Sequence, residues 1–115
     1  DQCFLIKSWL RACDVLLVPA INEGYNRTIV ESLLANLPVI VSDSGGHKEA
    51  ILKDKKLFVN PNDYHNFALK TLNFLKLNNN QSKFIINKQL RMIKIRHNNK
   101  IIKEKIQKIY RNINK

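Results

Sequence analysis

Two glutamates eight positions apart, Glu23 and Glu31, flank a short turn, Gly24-Tyr25-Asn26-Arg27-Thr28, that runs into an apolar-periodic segment. Carboxylates accept hydrogen bonds from hydroxyls, whereas the free amides and the positive dipole end of a helix N-terminus suit phosphate. Glu23 falls on the loop and Glu31 in about the first turn of the helix. Both carboxylates are therefore expected to face one crevice with backbone amides between them. That layout suits a ligand with hydroxyls at both ends and phosphate in the middle, the arrangement of a nucleotide-sugar. Gly24 lets the backbone approach such a ligand closely. A second stretch, Ser42-Asp43-Ser44-Gly45-Gly46, leads into another helical pattern at His47 and is expected to form a second anion-binding terminus.

Each of these residues also has a purely structural reading. Thr28-Ile29-Val30-Glu31 fits a capping box, in which Thr28 caps the helix and Glu31 bonds back to it. Glu23 has no comparable structural role beyond that of a solvated loop carboxylate. Asp43 reads as a cap or turn residue, Gly45 with Gly46 as a tight turn, and Arg27 as either a phosphate contact or a solvent-facing side chain. His47, His65 and His97 are scattered, and Cys3 and Cys13 sit ten positions apart on an apolar helical pattern, so no metal site is expected. Trp9 reads as core.

The elements that must position the loops alternate. Apolar runs at 15–18, 39–41 and 57–59, bounded by Pro, Asp or Asn, predict short strands buried on both faces of a parallel sheet. Helical patterns cover 4–13, 28–36, 47–52 and 63–77, the last after Asn62 or Asp63 as cap. The order αβαβαβα implies right-handed crossovers and an α/β layer structure with a partial Rossmann-like parallel sheet of about three strands. In such sheets ligands sit at the carboxyl ends of the strands, where both polar loops fall.

Asn78, Asn79 and Asn80 break the pattern. The chain therefore divides into an α/β portion over residues 1–79 and a basic helical tail over 80–115. The first holds nine Lys or Arg against eight Asp or Glu; the second holds eleven against Glu104 alone, so nearly all of the net charge of +11 lies in the tail. A helix is expected over 81–95, and a final one carries Ile102, Ile106, Ile109 and Ile113 as a stripe among Lys100, Lys103, Lys105, Lys108 and Arg111. Fifteen Asn, fifteen Lys and fourteen Ile point to a compositional bias, so part of the basic excess need not be functional. With 115 residues, two cysteines and 44% hydrophobic side chains, the chain is neither a disulfide scaffold nor a low-complexity linker, and no apolar run reaches the ~18 residues of a membrane span. The start DQCFLIKSWL lacks the pattern of a signal peptide, so a cytoplasmic setting with reduced cysteines is expected. Asp1 in place of Met suggests a piece of a longer chain.

The stretch PAINEGYNRTIVESLLANLPVIVSDSGGHKEAI resembles the C-terminal, donor-binding domain of GT-B-fold, family 4-like retaining glycosyltransferases (glycosyl transferases group 1). That family carries two glutamates separated by seven intervening residues, a small-residue turn between them, and a following PVIxSDxGG strand and loop. The resemblance runs from about Cys3 to Leu77 and implies half of a GT-B fold. It implies that Glu23 binds hydroxyls of the donor sugar and is the catalytic-site carboxylate, and that Glu31 holds the ribose diol. Gly24, Tyr25, Asn26, Arg27 and Thr28 complete the donor site, with the amides of Asn26, Arg27 and Thr28 near the diphosphate and sugar. The family has glycine where this chain has Asn26 and serine where it has Ala20. Asn tolerates left-handed backbone better than most residues, so the turn is expected to persist with the Asn26 side chain against the sugar.

The resemblance further implies a hexosyltransferase that uses a nucleotide diphosphate-sugar as donor substrate, without metal or other cofactor, and a glycan or lipid-linked acceptor. The acceptor-binding N-terminal domain, and the Arg and Lys that neutralise the diphosphate in the family, lie outside this sequence, so the segment alone is expected to be inactive. A competing reading is a non-catalytic basic module, or a degenerate glycosyltransferase remnant, whose tail binds an anionic membrane surface or nucleic acid. Peripheral membrane attachment fits a basic amphipathic helix. Nucleic acid is the less expected partner, because the tail has no pattern of stacking aromatics.

Overall fold

A computed structural model describes residues 2–51 and 54–113, with the side chains of residues 2–4 left out; the end of the 47–52 helical pattern, at Leu52, and the Cys3 side chain lie outside the described residues. The elements are α1 (Gln2–Ala12), β1 (Leu16–Val18), α2 (Arg27–Leu34), β2 (Val39–Ser42), α3 (His47–Ala50), β3 (Phe58–Val59), α4 (Tyr64–Leu75), α5 (Asn79–Arg96) and α6 (Asn99–Ile113). The three strands form one parallel sheet in the order β1-β2-β3. This is the α/β architecture with a partial Rossmann-like sheet that the apolar runs predict.

β2 is the centre of the molecule. All four of its residues are buried, and it pairs on both sides: Leu16 with Val39 and Val18 with Val41 toward β1, Val41 with Phe58 and Ser42 with Val59 toward β3. A strand enclosed on both faces must be apolar throughout, and so Val39, Ile40 and Val41 are fully buried without alternation. Ile29 and Leu33 of α2 close over the sheet, as do Phe67 and Phe74 of α4. Ile85 and Ile93 of α5 belong to the same cluster. The Asn78 break is a helix start: Asn78 and Gln81 form a capping box, each side chain accepting from the other residue's N–H. α5 thus joins the core of the α/β portion, whereas α6 buries no residue.

α2 ends as its sequence dictates. Asn36 adopts φ +61°, its N–H bonds to the Leu33 carbonyl at 3.0 Å, and the Leu37 N–H reaches the Ser32 carbonyl at 2.9 Å. This left-handed cap is followed by Pro38, which cannot continue a helix. The start of α4 is fixed by Asp63, whose carboxylate accepts from the Asn66 N–H at 3.0 Å and its side-chain amide at 2.6 Å. These bonds, the backbone one foremost, hold the Asp63 carboxyl below its usual 3.8. A folded-state value below the unfolded one gives stability that is present above about pH 4 and is lost as pH falls through the folded value. Asp63→Asn keeps an acceptor but not the charge, so it is expected to flatten this part of the stability profile in urea titrations at successively lower pH.

Trp9 departs from its expected place in the core. It is 72% exposed, with Leu5 and Ile6 also at the surface of α1. A helical apolar face is buried only where an element covers it, and among the described residues none packs over this one.

Candidate functional site

The chain leaves β1 at its carboxyl end, where Asn22 takes a left-handed backbone (φ +57°) that most other residues adopt only with strain. Its N–H bonds to Ser44 Oγ at 2.9 Å. Glu23 follows at the surface, its carbonyl accepting from the Gly46 N–H at 2.8 Å. A third tie runs from the Ser42 hydroxyl to the Ala20 carbonyl. The SDSGG stretch is therefore a buttress for the Glu23 loop and not a second anion terminus. α3 has only four residues, and the amides of Gly46 and His47 are spent on the Glu23 and Ser44 carbonyls. The two loops meet so closely that a Cβ on Gly45 would lie 2.2 Å from the Glu23 carbonyl oxygen.

Asn26 begins α2. It has extended backbone (φ −93°, ψ 102°), and its Oδ1 accepts from the Thr28 N–H at 3.0 Å. Two expectations are corrected here. Asn26 does not take a glycine-like left-handed backbone, because the position is an N-cap, which is extended and favours Asn. Nor is Thr28 the cap of a box with Glu31: the helix starts two residues earlier than that box requires, at Arg27 and not Ile29, and the Thr28 amide is engaged by Asn26. Glu31 is left without a capping role, on the second turn of α2.

The Asn26 amide nitrogen also reaches Glu23 Oε2 at 3.2 Å. On its other side the same oxygen lies 4.0 Å from His47 Nε2. Next to it, a Cβ on Gly24 would meet nothing within 4 Å, so the backbone there faces open space. Gly24→Ala is accordingly expected to leave stability unchanged or raise it by up to about 1 kcal/mol, through the unfolded chain. The added methyl would stand in that open space, so weakened ligand binding at unchanged melting temperature is the result that would place a ligand over Gly24.

Glu31 occupies a different wall. With Tyr25, Arg27, Val30 and Leu34 it lines a groove of about 610 Å³ between α2 and α5, closed on the far side by Ile93, Lys94 and His97. Glu23 is not on that wall; its carboxylate turns to Asn26 and His47. Tyr25 joins the two regions. Its hydroxyl hydrogen-bonds His97 Nε2, the rings lie 5.8 Å apart at 58°, and burial raises the phenol above its usual 10.0 against the opposing pull of Arg96. Arg96 itself donates to the Glu49 carbonyl, so the end of α5 holds both the Glu23 loop and α3. A further cavity of about 540 Å³, lined by Asp14, Asn36, Pro38 and Phe74 among others, lies at the amino ends of β1 and β2, away from the carboxyl ends where α/β sheets bind ligands.

Spacing alone does not reveal His47 and His97 as neighbours of the Glu23 loop, because both contacts arise from tertiary approach. The available signal is the Gly45-Gly46 pair, which permits one loop to lie against the other and places the next side chain beneath it. Among the described residues no group of three or more His, Cys, Asp or Glu side chains converges as a metal site, and no helix is long and apolar enough to cross a membrane.

Residues 4–91 match the profile of glycosyl transferases group 1, so the match continues past the second loop and well into α5. Protein CapJ of Staphylococcus aureus is 26% identical over 97 residues, covering 84% of this chain and 22% of its own length. The uncharacterized glycosyltransferase MJ1178 of Methanocaldococcus jannaschii is 31% identical over 72 residues, covering 59% of this chain and 20% of its own. The chain thus spans about a fifth of the length of these relatives. With most of its length matched, including both loops at the carboxyl ends of the strands, the chain belongs to the glycosyl transferases group 1 family.

Proposed function

We propose that the chain supplies the donor-binding side of a retaining, metal-independent glycosyltransferase that passes a hexosyl group from a nucleotide diphosphate-sugar to a glycan or lipid-linked acceptor. The observation that carries this reading is the exposed Glu23 carboxylate at the head of α2, beside Gly24 and the open space over its backbone. Glu23 orients the sugar hydroxyls. Glu31, on the α2–α5 groove with Arg27 and Tyr25, holds the ribose. The amides of residues 24–27 and the dipole of α2 stabilise the diphosphate as negative charge develops on it. The acceptor and the rest of the cleft belong to a separate N-terminal domain, so the chain alone binds donor without transferring it.

The test is a titration of the isotopically labelled chain with UDP-glucose, UDP-N-acetylglucosamine and GDP-mannose, each against its bare nucleoside diphosphate. Amide signals of residues 23–31 are expected to move. The sugar should add about tenfold in affinity, the worth of one charge-assisted hydrogen bond of about 1.5 kcal/mol. No response in this segment to any probe at millimolar concentration overturns the reading.

A second reading concerns α6. Its Ile102, Ile106, Ile109 and Ile113 are 39–72% exposed, and Lys100, Lys103, Lys105, Lys108 and Arg111 stand against Glu104 alone. A basic helix with an apolar stripe suits the surface of an anionic bilayer. Co-sedimentation with phosphatidylglycerol vesicles is expected at low salt, with marked loss at 0.5 M salt and on Ile106→Asp with Ile109→Asp. Equal sedimentation with neutral phosphatidylcholine vesicles removes it.

A further inference from the structure

His47 carries an arrangement that neither the capping nor the packing of α3 explains. Its side chain is completely buried, and Nδ1 lies 3.0 Å from the Ser42 carbonyl oxygen and 3.2 Å from Ser42 Oγ. The carbonyl can only accept. The Ser42 hydroxyl gives its hydrogen to the Ala20 carbonyl, so toward His47 it can only accept as well. Both partners therefore assign a hydrogen to Nδ1. In the neutral ring that leaves Nε2 a bare acceptor, and Nε2 is buried with no hydrogen-bond partner among the described residues. What faces it, at 4.0 Å, is Glu23 Oε2, a second acceptor.

Two acceptors held face to face are unfavourable, and one of them buried from water is costly. A hydrogen on Nε2 converts the clash into a charge-assisted hydrogen bond after a shift of about 1 Å, to the usual length of such bonds. Of the charged groups on the surrounding elements, Glu23 is the one at contact distance among the described residues. Asp43 of the preceding turn is paired with Lys48 at 2.9 Å, Arg96 of α5 is turned to the Glu49 carbonyl, and Arg27 and Glu31 of α2 line the groove toward α5. β2 contributes no charged side chain.

We propose that His47 is the positioning residue for Glu23: the doubly protonated imidazole donates from Nε2 to Oε2, and a proton taken from solvent accompanies the fixing of the carboxylate. Asn26 Nδ2 binds the same oxygen at 3.2 Å, so two donors converge on Oε2 and leave Oε1 for the ligand. The consequence for a donor sugar rests on the donor-binding reading above. A hydroxyl then meets a carboxylate already oriented by the protein, so less ordering is needed on binding.

The experiment has two arms. In the unliganded chain, long-range nitrogen–proton spectra of His47 are followed from pH 8 to pH 5.5 together with the Glu23 carboxyl carbon. Nδ1 is expected to carry hydrogen throughout, and the signals of Nε2 and the Glu23 carboxyl to move together, a coupling that Glu23→Gln removes. Protonation of Nε2 without a response at Glu23, or a ring with hydrogen on Nε2 and a bare Nδ1, overturns the proposal. The second arm compares UDP-glucose, UDP-N-acetylglucosamine and GDP-mannose with their bare diphosphates in wild type, His47→Phe and His47→Gln. His47→Phe should lose the roughly tenfold increment due to the sugar while binding bare diphosphate as before. His47→Gln, whose amide can still donate, should retain part of it, and proton uptake on binding should be seen in wild type alone. A wild type that binds no sugar nucleotide defeats the donor reading and leaves the first arm to decide the His47–Glu23 coupling. A wild type that binds while His47→Phe keeps the full increment defeats the positioning role and leaves the donor reading standing.

Discussion

Gly45→Ala is expected to destabilise the chain by about 3 kcal/mol or more, a large share of the ~5–15 kcal/mol that holds a small domain folded. Two effects combine. Gly45 sits at φ +54°, where an alanine is strained by ~1 kcal/mol or more, and the new Cβ would stand 2.2 Å from the Glu23 carbonyl oxygen. The obstacle is backbone, so no side-chain rotation relieves it; the Asn22–Ser44 and Gly46–Glu23 hydrogen bonds must stretch or break as the loops part. Gly46→Ala separates the effects, because its backbone (φ −78°) suits alanine while its Cβ would meet Gly24 and Tyr25 backbone at 2.6–2.8 Å. It should cost about 1–3 kcal/mol, the usual range for overpacking. Denaturant midpoints check both, with Gly24→Ala as the neutral neighbour. A Gly45→Ala midpoint equal to wild type would show that the loops do not lie against each other as described.

How far the sequence speaks for itself depends on whether a feature is local. β2 was legible because a strand enclosed on both faces must be apolar without interruption, as Val39, Ile40 and Val41 are; β1 is as apolar but is not so enclosed, since Leu17 is 46% exposed. The end of α2 falls at Leu34, two residues before the end of the 28–36 pattern, because Asn36 takes the left-handed backbone beyond the cap and Pro38 forbids continuation. Its start, at Arg27, lies one residue before the 28–36 pattern. Thr28 followed by Glu31 fits one capping pattern and Asn26 followed by Thr28 another, and only the backbone at Asn26 selects between them. Trp9 was misplaced because an apolar residue on a helix announces that it can be covered, not that it is. In the candidate site, Glu23, Gly24 and Glu31 were marked by type and spacing. The neighbours of Glu23 and Tyr25 were not, because His47 and His97 reach them across separations of 24 and 72 positions through the packing of α3 and α5. Periodicity reports which face of an element is apolar; it does not report which two loops will touch.

The second large effect concerns activity, and it follows from the donor-binding proposal. In a transferase containing this chain, Glu23→Ala is expected to lower kcat/KM on the order of a hundredfold, since a charged hydrogen bond to a buried ligand hydroxyl contributes up to about 3 kcal/mol. The fold should hardly notice. The Glu23 side chain is 52% exposed, its hydrogen bond to Asn26 lies at the surface, and the carbonyl that accepts from Gly46 survives the substitution. A stability change within about 0.5 kcal/mol is therefore expected. Glu23→Gln distinguishes a charge from a mere acceptor: it retains one oxygen, so a loss of about tenfold locates the remainder in the negative charge. The partition between constants carries further information. If Glu23 grips the sugar equally before and during transfer, KM rises while kcat stays; if it grips more tightly as the sugar separates from the diphosphate, kcat falls as well. The proximity of His47, with Asn26 on the same carboxylate oxygen, favours the second pattern, because a carboxylate oriented in advance can meet a charge that exists only at the transition state. Unchanged kcat/KM in Glu23→Ala, with the variant folded, removes Glu23 from the site and with it the orientation assigned to the donor.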